Sequence, residues 1–208
     1  MRFSVDKRID RGLATRQQVI ETASRLFAAQ GYEAVSIEAV LTGCGVSRGA
    51  LYHHFSSKKA LFLAVLEREE ARICTAVTSA AQAATSVADG LRKGCITWLT
   101  LAAQDAAVRQ IVLTDAPAVL GWQAWRAIDG EHSLGLLRQA FAAAAASGLV
   151  SKEQTDVYAQ LLLAALIELA LMIARAPDDE AVRTSGMDAL ERVMGAFFTD
   201  ATRHTSGS

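Results

Sequence analysis

The chain has 208 residues, 51% of them apolar, with 21 Lys/Arg against 22 Asp/Glu and only two prolines. That length suits one large helical unit or a small domain beside a larger one, and the apolar share supports a substantial core. Three cysteines, Cys44, Cys74 and Cys95, show no metal-ligand spacing and are an odd number for a disulfide framework.

Alanine and leucine dominate over β-branched alternation, so helix is the expected state throughout. The charge is unevenly placed. Residues 1–60 carry nine Lys/Arg against five Asp/Glu, a net +4, while residues 61–208 carry twelve against seventeen, a net −5. A basic module on an acidic body suits one end meeting a polyanion. The start, Met1-Arg2-Phe3-Ser4-Val5-Asp6, lacks the apolar core of a signal peptide. Gln160 and Glu168 interrupt the most apolar segment, Val157 to Ala174, which argues against a transmembrane span. A soluble, cytoplasmic protein without a membrane partner is expected.

Residues 1–14 read as a polar N-terminal arm with Lys7, Arg8 and Arg11. Thr15-Arg16-Gln17-Gln18 has a capping-box pattern that would open the first helix. Val19, Ile20, Ala23, Leu26 and Phe27 then share one face, and Gly31 ends the helix. Ser36 caps a short second helix with Ile37, Val40 and Leu41 on its apolar side. Gly43-Cys44-Gly45 makes a turn and Ser47 caps a third helix. Ser56 or Ser57 caps a fourth, running through Leu61, Phe62, Val65 and Leu66 toward Arg72. Two short helices joined by a glycine-bearing turn and braced by a longer helix form a helix-turn-helix over residues 15–66.

The third helix has a front and a back. At 100° per residue, Leu51 and Phe55 fall together on the buried side. Gly49, Ala50 and His53 lie opposite, Tyr52 and His54 on the flanks, and Arg48 opens the first turn. A floor of small residues lets a helix approach a surface closely, and a DNA major groove about 12 Å wide admits such a helix. Arg48 can read a guanine edge with its fork of donors, or contact a phosphate instead. Ser47, Gly49, Ala50 and His53 complete the groove-facing surface. Tyr52 and His54 have a plainer reading as a partly buried aromatic pair in a small core. Arg8, Arg11 and Arg16 either belong to a frayed terminus or reach DNA backbone or minor groove. A metal site of Cys44, His53 and His54 is disfavoured, because adjacent helical histidines diverge by about 100° and no further ligand completes the set.

Residues 15–65 resemble the DNA-binding domain of the tetracycline-repressor (TetR/AcrR-type) family of bacterial transcription regulators. The resemblance is carried by Leu26-Phe27, Gly31-Tyr32, Ser36-Ile37, Gly45-Val46-Ser47, Leu51-Tyr52-His53-His54-Phe55 and Lys58 with Leu61-Phe62. A weaker likeness lies in Ile111 to Trp122. Leu41, Gly43 and Cys44 depart from the family pattern in the turn. The resemblance implies that the Tyr52 hydroxyl and His54 hold phosphates on opposite flanks. It also implies that Ser36 touches backbone as well as capping its helix. Lys58 adds an ammonium, with the fourth helix's first amides, to phosphate binding.

Residues 67–200 read as a larger helical domain and 201–208 as a tail. Expected helices are Ser86–Gln104, Ala106–Thr114, Trp122–Ser147, Glu153–Arg175 and Asp178–Phe198. Breaks are expected at Asp115-Ala116-Pro117, Ser147-Gly148 and Ala176-Pro177. Ser151-Lys152-Glu153-Gln154 is a second capping-box pattern. The helix that follows is apolar nearly all round and must be covered on two sides, one of them by a twin copy. The expected dimer interface holds Leu161, Ala165, Glu168 and Met172, with Leu190, Met194 and Phe197 from the last helix. A central helix of a monomer is the plainer alternative. Trp98, Trp122 and Trp125, with Cys95, Ile111 and Asp115, are candidates to line a small-molecule cavity. Its occupant would be apolar or aromatic, with Asp115 accommodating a cation. The tryptophans could equally fill core, and Asp115 could be a helix cap.

No nucleophile motif, phosphate loop or paired-carboxylate set occurs, so neither catalysis nor a cofactor is expected. The sequence thus predicts an all-α protein with an N-terminal three-helix helix-turn-helix domain and a larger C-terminal ligand-binding and dimerisation domain. The expected function is that of a homodimeric, ligand-responsive regulator, a repressor by preference, on a palindromic double-stranded DNA operator. The competing class is a helical ligand-binding or interaction protein that has lost DNA binding.

Overall fold

In the computed structural model, the backbone is described for residues 2–198 and side-chain packing for residues 12–128 and 130–198. Helices α1 (Arg2–Gln30), α2 (Ile37–Cys44), α3 (Arg48–His54), α4 (Lys58–Gln82) and α5 (Val87–Gln104) come first. A π-helical stretch, Val108–Asp115, leads into α6 (Ala116–Leu120). Then follow α7 (Trp122–Asp129), α8 (Gly135–Ala146), α9 (Thr155–Arg175) and α10 (Glu180–Phe198). The described residues contain no strand. The chain divides into one unit of Met1–Glu69 with Ala106–Val119 and another of Glu70–Asp105 with Leu120–Ser208.

The first unit is built on caps and one apolar seam. Ser36, Ser47 and Ser57 accept the backbone N–H groups of Ala39, Ala50 and Ala60 at 3.1, 3.2 and 3.1 Å, satisfying donors that each helix start leaves open. Val19, Ile20, Ala23 and Phe27 of α1 are buried with Val40, Leu51, Phe55, Leu61 and Phe62. The rings of Phe27, Tyr32 and Phe62 meet at centroid distances of 5.0 to 5.8 Å. Two glycines make the turn between α2 and α3. Gly45 has φ +65°, and a Cβ on Gly43 would lie 2.8 Å from the Thr22 methyl of α1. Close crossing of α1 and α2 explains the glycine that departs from the family pattern. The Gln18 amide also donates to the Cys44 carbonyl at 2.9 Å, tying the end of α2 to α1.

Two local expectations fail. Helix α1 begins at Arg2, so residues 2–14 are not a separate irregular arm and Thr15 lies mid-helix. No proline stands in that stretch, and Leu13, Ala14 and the arginines favour helix. The side chains of Lys7, Arg8 and Arg11 lie outside the described residues. The break at Asp115-Ala116-Pro117 is also absent. The Ala116 N–H reaches back to the Ile111 carbonyl, and the helix continues through Pro117. Proline lacks the N–H of a regular turn, and the wide π-helical turns before it accommodate that mismatch.

In the second unit, α9 is the central helix. Leu162, Leu163, Leu166, Ile167, Ala170 and Ile173 are buried against α5, α8 and α10. Phe141, Tyr158 and Phe197 form an aromatic cluster with centroids 4.8 to 5.8 Å apart. The expected helix Trp122–Ser147 is divided by a π-helical turn at Gly130–Leu134. Helix α9 follows a short 3-10 turn, Lys152–Gln154, and the Ser151 hydroxyl bonds the Glu153 carboxylate rather than capping. Asp179 opens α10, accepting the N–H groups of Ala181 and Val182 at 2.9 and 3.1 Å. By length and composition alone Lys152–Arg175 is apolar enough to cross a membrane, a test that a core helix also passes, and 44% of its most apolar window is buried inside the protein. The expected tail, 201–208, lies outside the described residues.

Candidate functional site

Helix α3 is pinned by Leu51 and Phe55, both buried, as its periodicity requires. Ser47, Arg48, Gly49, Tyr52 and His53 are exposed, Tyr52 to 44%, while Ala50 and His54 are half-buried. The small-residue floor and its polar flanks therefore form one uncovered surface. Arg48 is not idle on it, since its guanidinium pairs with Glu38 of α2 at 2.5 Å. A backbone hydrogen bond and the Arg48 contact hold the Glu38 carboxyl below its ordinary pKa.

His54 lies beside α1, its Cε1 4.0 Å from the position of a Cβ on Gly12. Burial lowers its pKa, with the His53 and Arg16 charges adding to the effect. A neutral imidazole at physiological pH keeps one N–H donor. The Arg16 guanidinium sits 5.4 Å from the Phe55 ring centroid, at the end of the same helix. The Lys58 ammonium rests 4.2 Å over the Tyr32 ring and donates to the Glu33 carbonyl at 3.3 Å. Its three donors leave capacity for a phosphate beyond that contact. Ser36 is exposed at the start of α2.

The expected ligand residues separate. A cavity of about 500 Å³ in the second unit is lined by Cys95 and Trp98 but by neither Trp122 nor Trp125. Trp122 is 52% exposed, and Trp125 is buried core, their rings 4.9 Å apart. Ile111 and Asp115 belong to the first unit, where Ile111 is buried. Asp115 accepts the Tyr32 backbone N–H at 2.7 Å and the Gln110 amide at 3.0 Å. Nearness in sequence to the tryptophans does not carry over, because the chain leaves one unit for the other after Val119. Sequence reasoning missed the walls contributed by Ile73, Cys74 and Val77 of α4 and by Leu137 and Ala140 of α8. The available signal was the spaced pair Gly90 and Gly94. A Cβ there would lie 3.2 Å from the Ala81 carbonyl and 3.3 Å from Val77, so α5 approaches α4 closely.

The expected dimer residues also divide. Leu161 and Met172 are 55% and 40% exposed, Glu168 is exposed and Ala165 half-buried on the same side of α9. Leu190, Met194 and Phe197, by contrast, are buried within the unit itself. Their stripe, with Gly186 packed 3.2 Å from Ile173 at its Cβ position, is consumed by the contact with α9. Among the described residues no group of three or more His, Cys, Asp or Glu could hold a metal.

A short helix fixed by two apolar anchors, with its polar face uncovered and a second helix braced against α1, defines a helix-turn-helix domain. Residues 19–65 match the family model "Bacterial regulatory proteins, tetR family", and residues 88–197 match "Tetracyclin repressor-like, C-terminal domain". The chain belongs to the tetracycline-repressor family. It is 39% identical over 69 residues to the HTH-type transcriptional repressor AcnR of Corynebacterium efficiens, covering 33% of this chain and 37% of that one. To AcnR of Corynebacterium diphtheriae it is 44% identical over 62 residues, 30% of this chain and 33% of the other. The chain thus matches only about a third of the length of these curated relatives. Its fold superposes on a TetR-family transcriptional regulator from Pectobacterium atrosepticum with a TM-score of 0.80 at 28% identity, covering 91% of this chain and 97% of that one.

Proposed function

We propose that this protein is a non-enzymatic, cytoplasmic transcriptional repressor that binds a palindromic DNA operator as a homodimer and leaves it on binding a small molecule. The uncovered face of α3 carries the reading. In it, Arg48 reads a base edge, Ser47, Gly49, Ala50 and His53 line the groove, and Tyr52, His54, Ser36 and Lys58 hold phosphates. One such helix meets too few bases, and two held about 34–36 Å apart read a two-half-site operator. The exposed stripe of Leu161, Ala165, Glu168 and Met172 supplies the surface for a second copy, since apolar side chains on one exposed face favour burial. The cavity in the second unit receives the effector. Release requires that the effector bind the DNA-free state more tightly than the bound one.

Fragments selected from random duplexes, followed by a gel shift over a salt series, test this. The expected result is a two-half-site consensus whose affinity falls steeply with salt and weakens in Tyr52→Ala. A folded protein that ignores every duplex at low ionic strength would instead favour a ligand-binding protein without DNA binding.

A further inference from the structure

The walls of the cavity between α4, α5, α8 and α9 are formed by 24 residues, and none of them is Asp, Glu, Lys, Arg or His. Several formal charges on these helices are held in ion pairs. Lys93 pairs with Asp89 at 2.9 Å, Arg92 with Glu191 at 2.6 Å, Arg138 with Asp156 at 2.6 Å and Arg72 with Asp105 at 2.8 Å. The floor is apolar and buried, with Leu91, Leu137, Leu163 and Ile167. The polar lining groups are uncharged: Thr78, Trp98 and Ser133 are half-buried, and Gln82, Thr85, Ser86 and Gln139 are exposed. Cys95 is neutral as well, because burial pushes its thiol up to about 12.

An ionised group moved into such a space loses hydration and gains no counter-charge. A hydroxyl or carbonyl meets the Thr78 hydroxyl or the Trp98 indole N–H at far smaller cost. At the packing density of protein interiors, about 500 Å³ accommodates a molecule on the order of 20 non-hydrogen atoms. We infer that this cavity selects an uncharged, largely apolar small molecule and rejects carboxylates and ammonium compounds of the same shape. The inference rests on the reading of this cavity as the effector site, and it removes the cationic option that Asp115 had suggested.

Calorimetric titration of the full chain without DNA tests it, with two matched sets of probes. One set is 4-biphenylmethanol, biphenyl-4-carboxylate and 4-biphenylmethylammonium; the other is decanol, decanoate and decylammonium below their micellar concentrations. The neutral member of at least one set should bind about tenfold or more tighter than both of its ions. Ala140→Trp, checked for folding by circular dichroism, should abolish that binding by filling the cavity. Thr78→Asp should narrow or invert the preference toward the ammonium compound, since it supplies the missing counter-charge. Ions binding as tightly as their neutral partners, or no binding by either neutral probe to the folded protein, overturns the inference. A neutral probe that binds yet leaves DNA affinity unchanged would sink the effector reading while leaving the cavity's selectivity intact.

Discussion

The Asp115 carboxylate accepts a hydrogen bond from the backbone N–H of Tyr32 at 2.7 Å, across 83 positions of chain. With the Gln110 amide on its other oxygen, Asp115 ties the π-helical stretch to the end of α1 inside the first unit. Burial raises its pKa, and the two hydrogen bonds pull the other way without cancelling that effect.

Asp115→Ala leaves the Tyr32 N–H without its acceptor and should cost about 1 kcal/mol in urea unfolding. Asp115→Asn keeps an acceptor and removes the charge. The pH sign follows from the raised pKa. The ionised carboxyl is less favourable folded than unfolded, so its penalty is fully present above the folded pKa. It disappears as pH falls through that pKa to the ordinary carboxylate value. Relative to Asp115→Asn, the natural protein should therefore gain stability as pH is lowered from 7 through the carboxylate range. A stability difference independent of pH would contradict this.

Lys58 stacks on Tyr32 rather than standing free. Lys58→Ala should cost about 0.5–1 kcal/mol of stability from the lost cation–π contact. It should also lower the salt dependence of DNA binding by about one unit of slope. Tyr32→Phe keeps the ring and should leave stability within about 0.5 kcal/mol. Equal destabilisation by both variants would place the Tyr32 contribution in its hydroxyl.

Glu38 holds the guanidinium of Arg48 on the uncovered face. An exposed, solvent-screened pair of this kind contributes little to folding, so neither partner's removal should change the melting temperature much. Their effects on DNA should be opposite. Arg48→Ala should cost about 1–3 kcal/mol and relax preference at one base position. Glu38→Ala, which removes a negative charge from beside the polyanion, should tighten binding across sequences. Fluorescence anisotropy with operator and scrambled duplexes reads both.

The two faces of the C-terminal helices should respond differently to substitution. Leu161→Glu changes an exposed position on α9 and should yield folded monomers by analytical ultracentrifugation. Phe197→Ala removes a buried ring from the cluster with Phe141 and Tyr158 and should cost about 3–5 kcal/mol of stability. A dimer unaffected by Leu161→Glu would move the interface to another face.

Short-range features were legible in the sequence because a few neighbouring residues decide them. Ser36 and Ser47 cap their helices, Leu51 and Phe55 face inward four residues apart, and the exposed side of α9 carries Leu161 and Met172. Each follows from the 3.6-residue turn and the unpaired amides at a helix start. Only the tertiary structure decided which apolar stripes find a partner within the chain. The stripe of Leu190, Met194 and Phe197 is taken up by the protein's own core, and an interface with a second copy looks the same in sequence. The same holds for Asp115, whose acceptor role depends on a backbone amide 83 positions away. The cavity, likewise, is lined by residues of α4, α5, α8 and α9 that lie far apart in the chain. Local propensity is set within a turn or two of helix, whereas burial is settled by residues that meet only after the chain has folded back on itself.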